Sequence, residues 1–153
     1  MIKKKDELKL LFLGLFLIFL DLFSKFFFID KNYFTNYFIF ISGTQNFGSS
    51  FGSFSTIPFY SYLIFFLSII FVTIMIIKRD FFYKNKYLIS SFILIISGVL
   101  GNAIDRIFYG FVRDFIAIKH LFIFNIADIY IFFGVILYLL FELSSYKFLK
   151  KGK

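Results

Sequence analysis

The chain has 153 residues, 60% of them hydrophobic, with 29 Phe, no Cys, one His and a formal net charge of +8. Average soluble domains carry about 45–50% apolar residues, and a soluble fold of this length leaves roughly a third of its unfolded surface in water, so a mean hydropathy of +0.87 points to a membrane protein. Without Cys, disulfides, thiol catalysis and Cys-ligated metal are excluded, and the single His120 argues against a His-based metal site.

About 20 apolar residues cross the hydrocarbon core as a helix. The first candidate span is 8–29, "LKLLFLGLFLIFLDLFSKFFFI". It is longer than a secretory h-region and no small-residue cleavage site follows it, so it is expected to be retained. Asp21 and Lys25, in "DLFSK", lie four apart on one face. The plain expectation is a self-neutralising pair near the membrane interface, with the Lys snorkelling outward; the alternative is one wall of a site.

Residues 30–57 follow. "NYFIFIS" (36–42) alternates enough for a strand, and "GTQNFGSSFGSFS" (43–55) reads as a Gly/Ser-rich turn region. Asn46 sits in it beside Gly48 and Gly52, which permit tight turns. Long connections of this kind often carry function. The second span is 58–77 and the third 88–107. Asn102 and Asp105 share a face near the end of the third, and Arg106 follows directly. Asp114 falls in the next connection, 108–125, and the fourth span is 126–146. Asn125 and Asp128 repeat the three-residue spacing at its start, where a carboxylate is stabilised by the helix dipole.

The expected fold class is an all-α membrane protein of four transmembrane helices with a small β-containing extracytoplasmic loop region, forming one domain over 1–153. Lys3, Lys4, Lys5, Lys9, Lys78, Arg79, Lys84, Lys86, Lys147, Lys150, Lys151 and Lys153 make up 12 of the 17 basic residues. All lie at the two termini or between spans two and three, which the positive-inside rule places in the cytoplasm. The charge is thus read as topology, with no nucleic-acid partner. Segments 30–57 and 108–125 are then outside, and every polar cluster falls at the same membrane face.

Ionisable groups at membrane depth are costly and usually face a protein interior or a water-filled cavity. Two close carboxylates resist joint ionisation, so one proton is shared and the pair serves as base and acid together. Such a pair activates water against a carbonyl without Cys, Ser–His or metal. Asp105, Asp114 and Asp128 compete for the two roles, and spacing alone does not choose among them. A small transporter or channel subunit is the rival reading, but it calls for polar residues near the bilayer midplane, often in repeats or broken helices. A non-enzymatic assembly factor is a third, and it would not require both Asp114 and Asp128.

The blocks "DLFSK", "NFGSSFG", "GVLGNAIDR", "VRDF" and "FNIAD", in this order across four spans, resemble those of the lipoprotein signal peptidases (signal peptidase II), bacterial membrane aspartyl proteases. The resemblance covers essentially the whole chain outside the basic tails. It implies cleavage of diacylglyceryl-modified prolipoproteins before the lipidated cysteine, at the outer face of the cytoplasmic (inner) membrane. It further implies contact with membrane lipids, no cofactor or metal, and inhibition by globomycin. It assigns catalysis to Asp114 and Asp128. Asp105 and Arg106 become supporting residues, with Arg106 near the substrate backbone. Asn102 and Asn125 orient the site, Asn46 and Gly48 lie on the loop that covers the substrate, and Asp21 and Lys25 flank it. Three features depart from the family pattern: Arg113 stands where a small or apolar residue is usual, Asp114 and Asp128 are only 14 residues apart, and no Pro precedes "FN". The Arg113 side chain is expected to turn away toward the headgroups.

Overall fold

The computed structural model describes residues 4–30, 32–34, 39–47, 60–119 and 121–151. Helix α1 spans Lys4–Phe28 and is followed by strands β1 (Asn32–Phe34) and β2 (Ile39–Asn46). Helix α2 (Tyr60–Ile77), a one-turn α3 (Arg79–Phe82) and α4 (Lys86–Tyr109) come next. Strands β3 (Val112–Ile118) and β4 (Phe122–Phe124) then lead into α5 (Ile126–Lys151). Among the described residues, four helices are long and apolar enough to cross a membrane, as expected for the fold class. Their bounds follow the expected spans closely, except that α1 starts four residues earlier and α5 runs on into the basic tail.

Helix α4 is the central element, packed against α1, α2 and, most extensively, α5. Half of its apolar stretch is buried, against 11–17% for the other three. The lipid-facing character of the rest is plain in α1, where Phe12, Phe16, Phe19 and Phe23 are all exposed. In water such a surface would aggregate; in hydrocarbon it needs no cover. Helices in a bilayer gain little from burying apolar side chains, so close approach and interhelical hydrogen bonds hold them. The Ser91 hydroxyl accordingly donates to the Gly134 carbonyl of α5 at 2.8 Å. One end of the bundle is apolar and aromatic, with Met75, Phe82, Leu88 and Ile95 packed beneath Tyr83, Phe92 and Tyr138.

The other end is polar, and the chain's local choices create it. At the aromatic end α4 starts from Asn85, whose side chain accepts from the Tyr87 N–H at 2.8 Å. It stops at Gly110, whose φ of 77° is the left-handed conformation that glycine adopts freely, with its N–H returning to the Arg106 carbonyl. Arg106, in that last turn, suits the negative end of the helix dipole.

The strands form one antiparallel sheet in the order β1-β2-β3-β4. Two expectations need correction here. Within the described residues the strand read over 36–42 is present from Ile39. It continues through Gly43, Thr44, Gln45 and Asn46, which were expected to turn. A bulge between Ile41 and Thr44 absorbs the glycine and resets the register to Thr44 opposite Asp114 and Asn46 opposite Val112. An inserted residue of this kind re-aims the strand, and it brings Asn46 to the site. Gly48 and residues 36–38 lie outside the described residues. Strand β3 was expected as loop; it is buried along most of its length, so the polar–apolar alternation that marks a strand is missing from its sequence.

Candidate active site

The site assembles where the C-terminal ends of α1 and α4, the N-terminus of α5 and strands β2 and β3 meet. The start of α5 is locally determined. Asn125 is its N-cap: the Asn125 side-chain oxygen accepts from the Asp128 N–H at 3.1 Å, and a carboxylate oxygen of Asp128 accepts from the Asn125 N–H at 3.2 Å. This reciprocal pair is a capping box built from Asn and Asp. It fixes both side chains by the chain's own first turn.

The remaining Asn125 donor faces inward. Its Nδ2 donates to Oδ1 of Asp114 at 2.6 Å and to Oδ1 of Asn102 at 3.1 Å. Asn102 in turn donates from Nδ2 to Oδ1 of Asp128 at 2.8 Å. The second Asp114 oxygen accepts from Nδ2 of Asn46 at 2.9 Å. Asp114 and Asp128 are therefore tied to one another through Asn125, and each is held by one further Asn.

Lys25 determines which way these amides point. It is fully buried and its ammonium has only donors. Nζ lies 2.8 Å from Asp21, 2.9 Å from Oδ1 of Asn102 and 3.4 Å from Asp105. Because Asn102 must present its oxygen to Lys25, its NH₂ is left for Asp128. The snorkelling expected for Lys25 is thus overturned: three acceptors hold the ammonium inside the bundle. Asp21 also accepts from the Ala127 N–H at 2.9 Å, placing a carboxylate against the positive end of α5. Gly101 makes this approach possible, since a Cβ there would run into the Asp21 carboxylate.

Arg113 likewise departs from expectation. It does not turn toward the headgroups but is buried, with Nη2 and Nε donating to one Asp105 oxygen at 2.7 and 3.2 Å. Its own backbone N–H donates to the other at 2.9 Å. The guanidinium also lies over the Tyr109 ring, 4.4 Å from its centre. Asp105 is fully buried between Lys25 and Arg113. Arg106, also buried, donates from Nη1 to the Asn102 carbonyl at 3.3 Å and interacts electrostatically with Asp128, Asp114 and Asp105.

Gly48 lies outside the described residues, and among these every candidate site residue singled out in the sequence is accordingly found at one end of the bundle. Arg113 was missed as part of it, and the only sequence signal was its position beside Asp114. Asp114 is 2% exposed, and its pKa is pushed up to about 6 by burial and by the neighbouring Asp128 charge, against the opposing hydrogen bonds from Asn46 and Asn125 and the attraction of Lys25. Among the described residues no three of His, Cys, Asp or Glu gather to hold a metal ion.

Residues 13–144 match the family model described as signal peptidase (SPase) II. The chain belongs to the signal peptidase II family. It is 39% identical over 151 residues to a lipoprotein signal peptidase of Wigglesworthia glossinidia brevipalpis, covering 87% of this chain and 92% of that one. A lipoprotein signal peptidase of Buchnera aphidicola subsp. Schizaphis graminum is 42% identical over 99 residues, a match spanning 61% of this chain and 64% of the relative. A solved bacterial membrane enzyme superposes with a TM-score of 0.76 at 28% identity, over 89% of this chain and 88% of that one. The signal peptidase II match runs from within α1 to within α5, so it takes in all the polar residues described above.

Proposed function

We propose that this signal peptidase II family member is an aspartic endopeptidase that cleaves diacylglyceryl-modified prolipoproteins before the lipidated cysteine, with Asp114 and Asp128 as its acid–base pair. One observation carries the assignment: Asn125 holds both carboxylates, Asp114 by its side chain and Asp128 through the capping box. Asp105, the third candidate, is already committed to Lys25 and Arg113. A burial-raised Asp114 suits a pair that shares one proton.

In this reading the ionised member takes a proton from water as the water oxygen attacks the scissile carbonyl carbon. The protonated member gives its proton to the carbonyl oxygen. Collapse of the tetrahedral gem-diol adduct breaks the C–N bond: the departing amine takes the proton that came from water, the other carboxylate takes one hydroxyl proton as the C=O reforms, and the pair returns to its starting state with one proton. Arg106, which interacts electrostatically with both carboxylates, holds the substrate backbone in this reading. The rival transporter reading lacks support, because the charged residues gather at one end of the bundle instead of lining its middle.

The test is incubation of the full-length protein with a lipidated preprolipoprotein. Cleavage should occur before the modified cysteine, survive EDTA and serine- or thiol-directed reagents, and be blocked by globomycin. It should fall strongly when that cysteine is unmodified, because the diacylglyceryl group supplies binding energy away from the scissile bond that orients it. Equal cleavage of lipidated and unlipidated substrate would sink the lipoprotein assignment while leaving the aspartic chemistry standing.

The proposed orientation has both termini in the cytoplasm and the site at the outer face of the inner membrane. A chain without Cys allows a direct check by labelling single Cys substitutions in intact cells. Lys119→Cys and Asp30→Cys should react with an impermeant thiol reagent, and Tyr83→Cys and Lys150→Cys should not. The reverse pattern would put the carboxylates on the wrong side of the membrane for exported substrates.

A further inference from the structure

Arg113 is buried and bonded at the site, yet the chemistry above does not use it. The charges around it have a definite sum. Four carboxylates meet at this end of the bundle, Asp21, Asp105, Asp114 and Asp128, with three cations, Lys25, Arg106 and Arg113. Six of these seven side chains are buried, and Asp128 is half-buried. Uncompensated charge in such surroundings is costly, so the site favours a neutral total. Four carboxylates against three cations are neutral when the carboxylates hold one proton. Asp21 and Asp105 are paired with Lys25 and Arg113, which leaves that proton to Asp114 and Asp128.

We propose that Arg113 is a positioning residue which, by compensating Asp105, makes the singly protonated Asp114–Asp128 pair the neutral state of the site. The inference rests on the reading of Asp114 and Asp128 as the acid–base pair. Without Arg113, Lys25 alone would face Asp21 and Asp105, and neutrality would require a second proton among the carboxylates. The groups that act on Asp114 are Asn46 from β2, Lys25 from α1, Arg106 from α4, and Asn125 and Asp128 at the start of α5, while Asp21 and Asp105 lie behind them against Lys25. Of the cations among them, Lys25 is fully engaged by three acceptors, and Arg106 is anchored to the Asn102 carbonyl. Both also feel the Asp105 charge, but neither makes the paired contacts to it that Arg113 makes. Arg113 reaches Asp105 with both guanidinium and backbone N–H. The backbone contact also fixes the strand one residue before Asp114.

The test is the pH dependence of kcat/KM for full-length enzyme on a lipidated preprolipoprotein, in wild type and four variants. Removing a cation favours protonation of the pair, so both limbs of the profile for Arg113→Met should move to higher pH, by about 0.5–1 unit. Asp105→Asn removes the opposite charge and should move both limbs the other way. Arg113→Met/Asp105→Asn removes a matched pair, and its limbs should return toward the wild-type positions; it also tests the idea if Arg113→Met does not fold. Arg113→Lys keeps the charge but not the fork, so its limbs should stay in place while kcat falls. A purely structural Arg113 would lower the amount of active enzyme without moving either limb. Unmoved limbs in Asp105→Asn, a double variant displaced as far as a single one, or an Arg113→Lys profile shifted toward higher pH would each overturn the proposal. Failure of the underlying reading has a separate signature, since an active Asp114→Asn enzyme would remove the pair itself. Inactive Asp114→Asn and Asp128→Asn enzymes with unmoved limbs in the Arg113 and Asp105 variants would overturn the Arg113 inference alone.

Discussion

Asp114→Asn and Asp128→Asn should each lose roughly 10²–10⁴ in kcat, or more if the two act as one unit, while binding of lipidated substrate stays largely intact. Each change keeps the side-chain volume and removes a proton carrier. The double variant should be little worse than either single one, because one missing member already disables the pair. Substantial activity in either enzyme would return Asp105 to candidacy. Stability gives Asp114 a second readout. Its pKa in the folded protein, about 6 against an ordinary 3.8, means that folding favours the protonated form. The sign is therefore opposite to that of a paired carboxylate: the favourable contribution is present below about pH 4 and is lost as pH rises through about 6. The loss amounts to about 3 kcal/mol once Asp114 is ionised. Asp114→Asn has no such transition. Melting of the two proteins between pH 5 and 7 should show the wild type declining more steeply than the variant. Parallel curves would mean that Asp114 titrates as an ordinary carboxylate and lacks the proton the mechanism needs.

The four spans were legible because hydrocarbon imposes length and apolarity on every residue of a crossing helix, and long runs such as 58–77 meet both demands. The polar residues were legible for the complementary reason. In a chain this apolar, Asp21, Lys25, Asn102, Asp105 and Arg106 stand out because each is expensive where it lies. Their partners were harder to read. The spacing of Asp21 and Lys25 suggested a closed pair on one helix, yet Lys25 reaches 77 and 80 residues along the chain to Asn102 and Asp105. No local pattern encodes that choice. The same holds for the sheet: β3 is buried on most positions and carries Arg113 and Asp114 adjacent to each other, so it lacks strand periodicity. The bulge that delivers Asn46 to Asp114 depends on strand pairing across about 70 residues, which a turn-rich sequence conceals. Arg113 was misread for a related reason. A cation beside a presumed catalytic Asp invites the expectation that it points elsewhere, and only the neighbouring end of α4 reveals a carboxylate waiting for it.

Lys25→Met should be the most destabilising single substitution at the site, by about 3–5 kcal/mol, the usual cost of leaving a buried charge without its partner. Met matches the stem in length and shape, so little packing is lost. The ammonium, however, holds three acceptors at once. Asp105 keeps Arg113, whereas the Asp21 oxygen that faced Lys25 is left against Gly101 and the close-packed start of α5. Replacing both partners by neutral side chains removes the orphaned charge, so Asp21→Asn/Lys25→Met should be more stable than the sum of the single changes predicts. Thermal unfolding in detergent checks this directly. Activity should fall for a further reason. Without a donor-only neighbour, only the longer hydrogen bond from Asn125 holds the Asn102 oxygen, and its amide turns away from Asp128 more readily. Asp128 would then keep its capping-box contact with Asn125 but lose the donor that holds its other oxygen. The double variant should therefore recover stability without recovering kcat. If it regains both, Lys25 serves only to neutralise Asp21, and the orientation of Asn102 is set by Asn125 and Asp128 themselves.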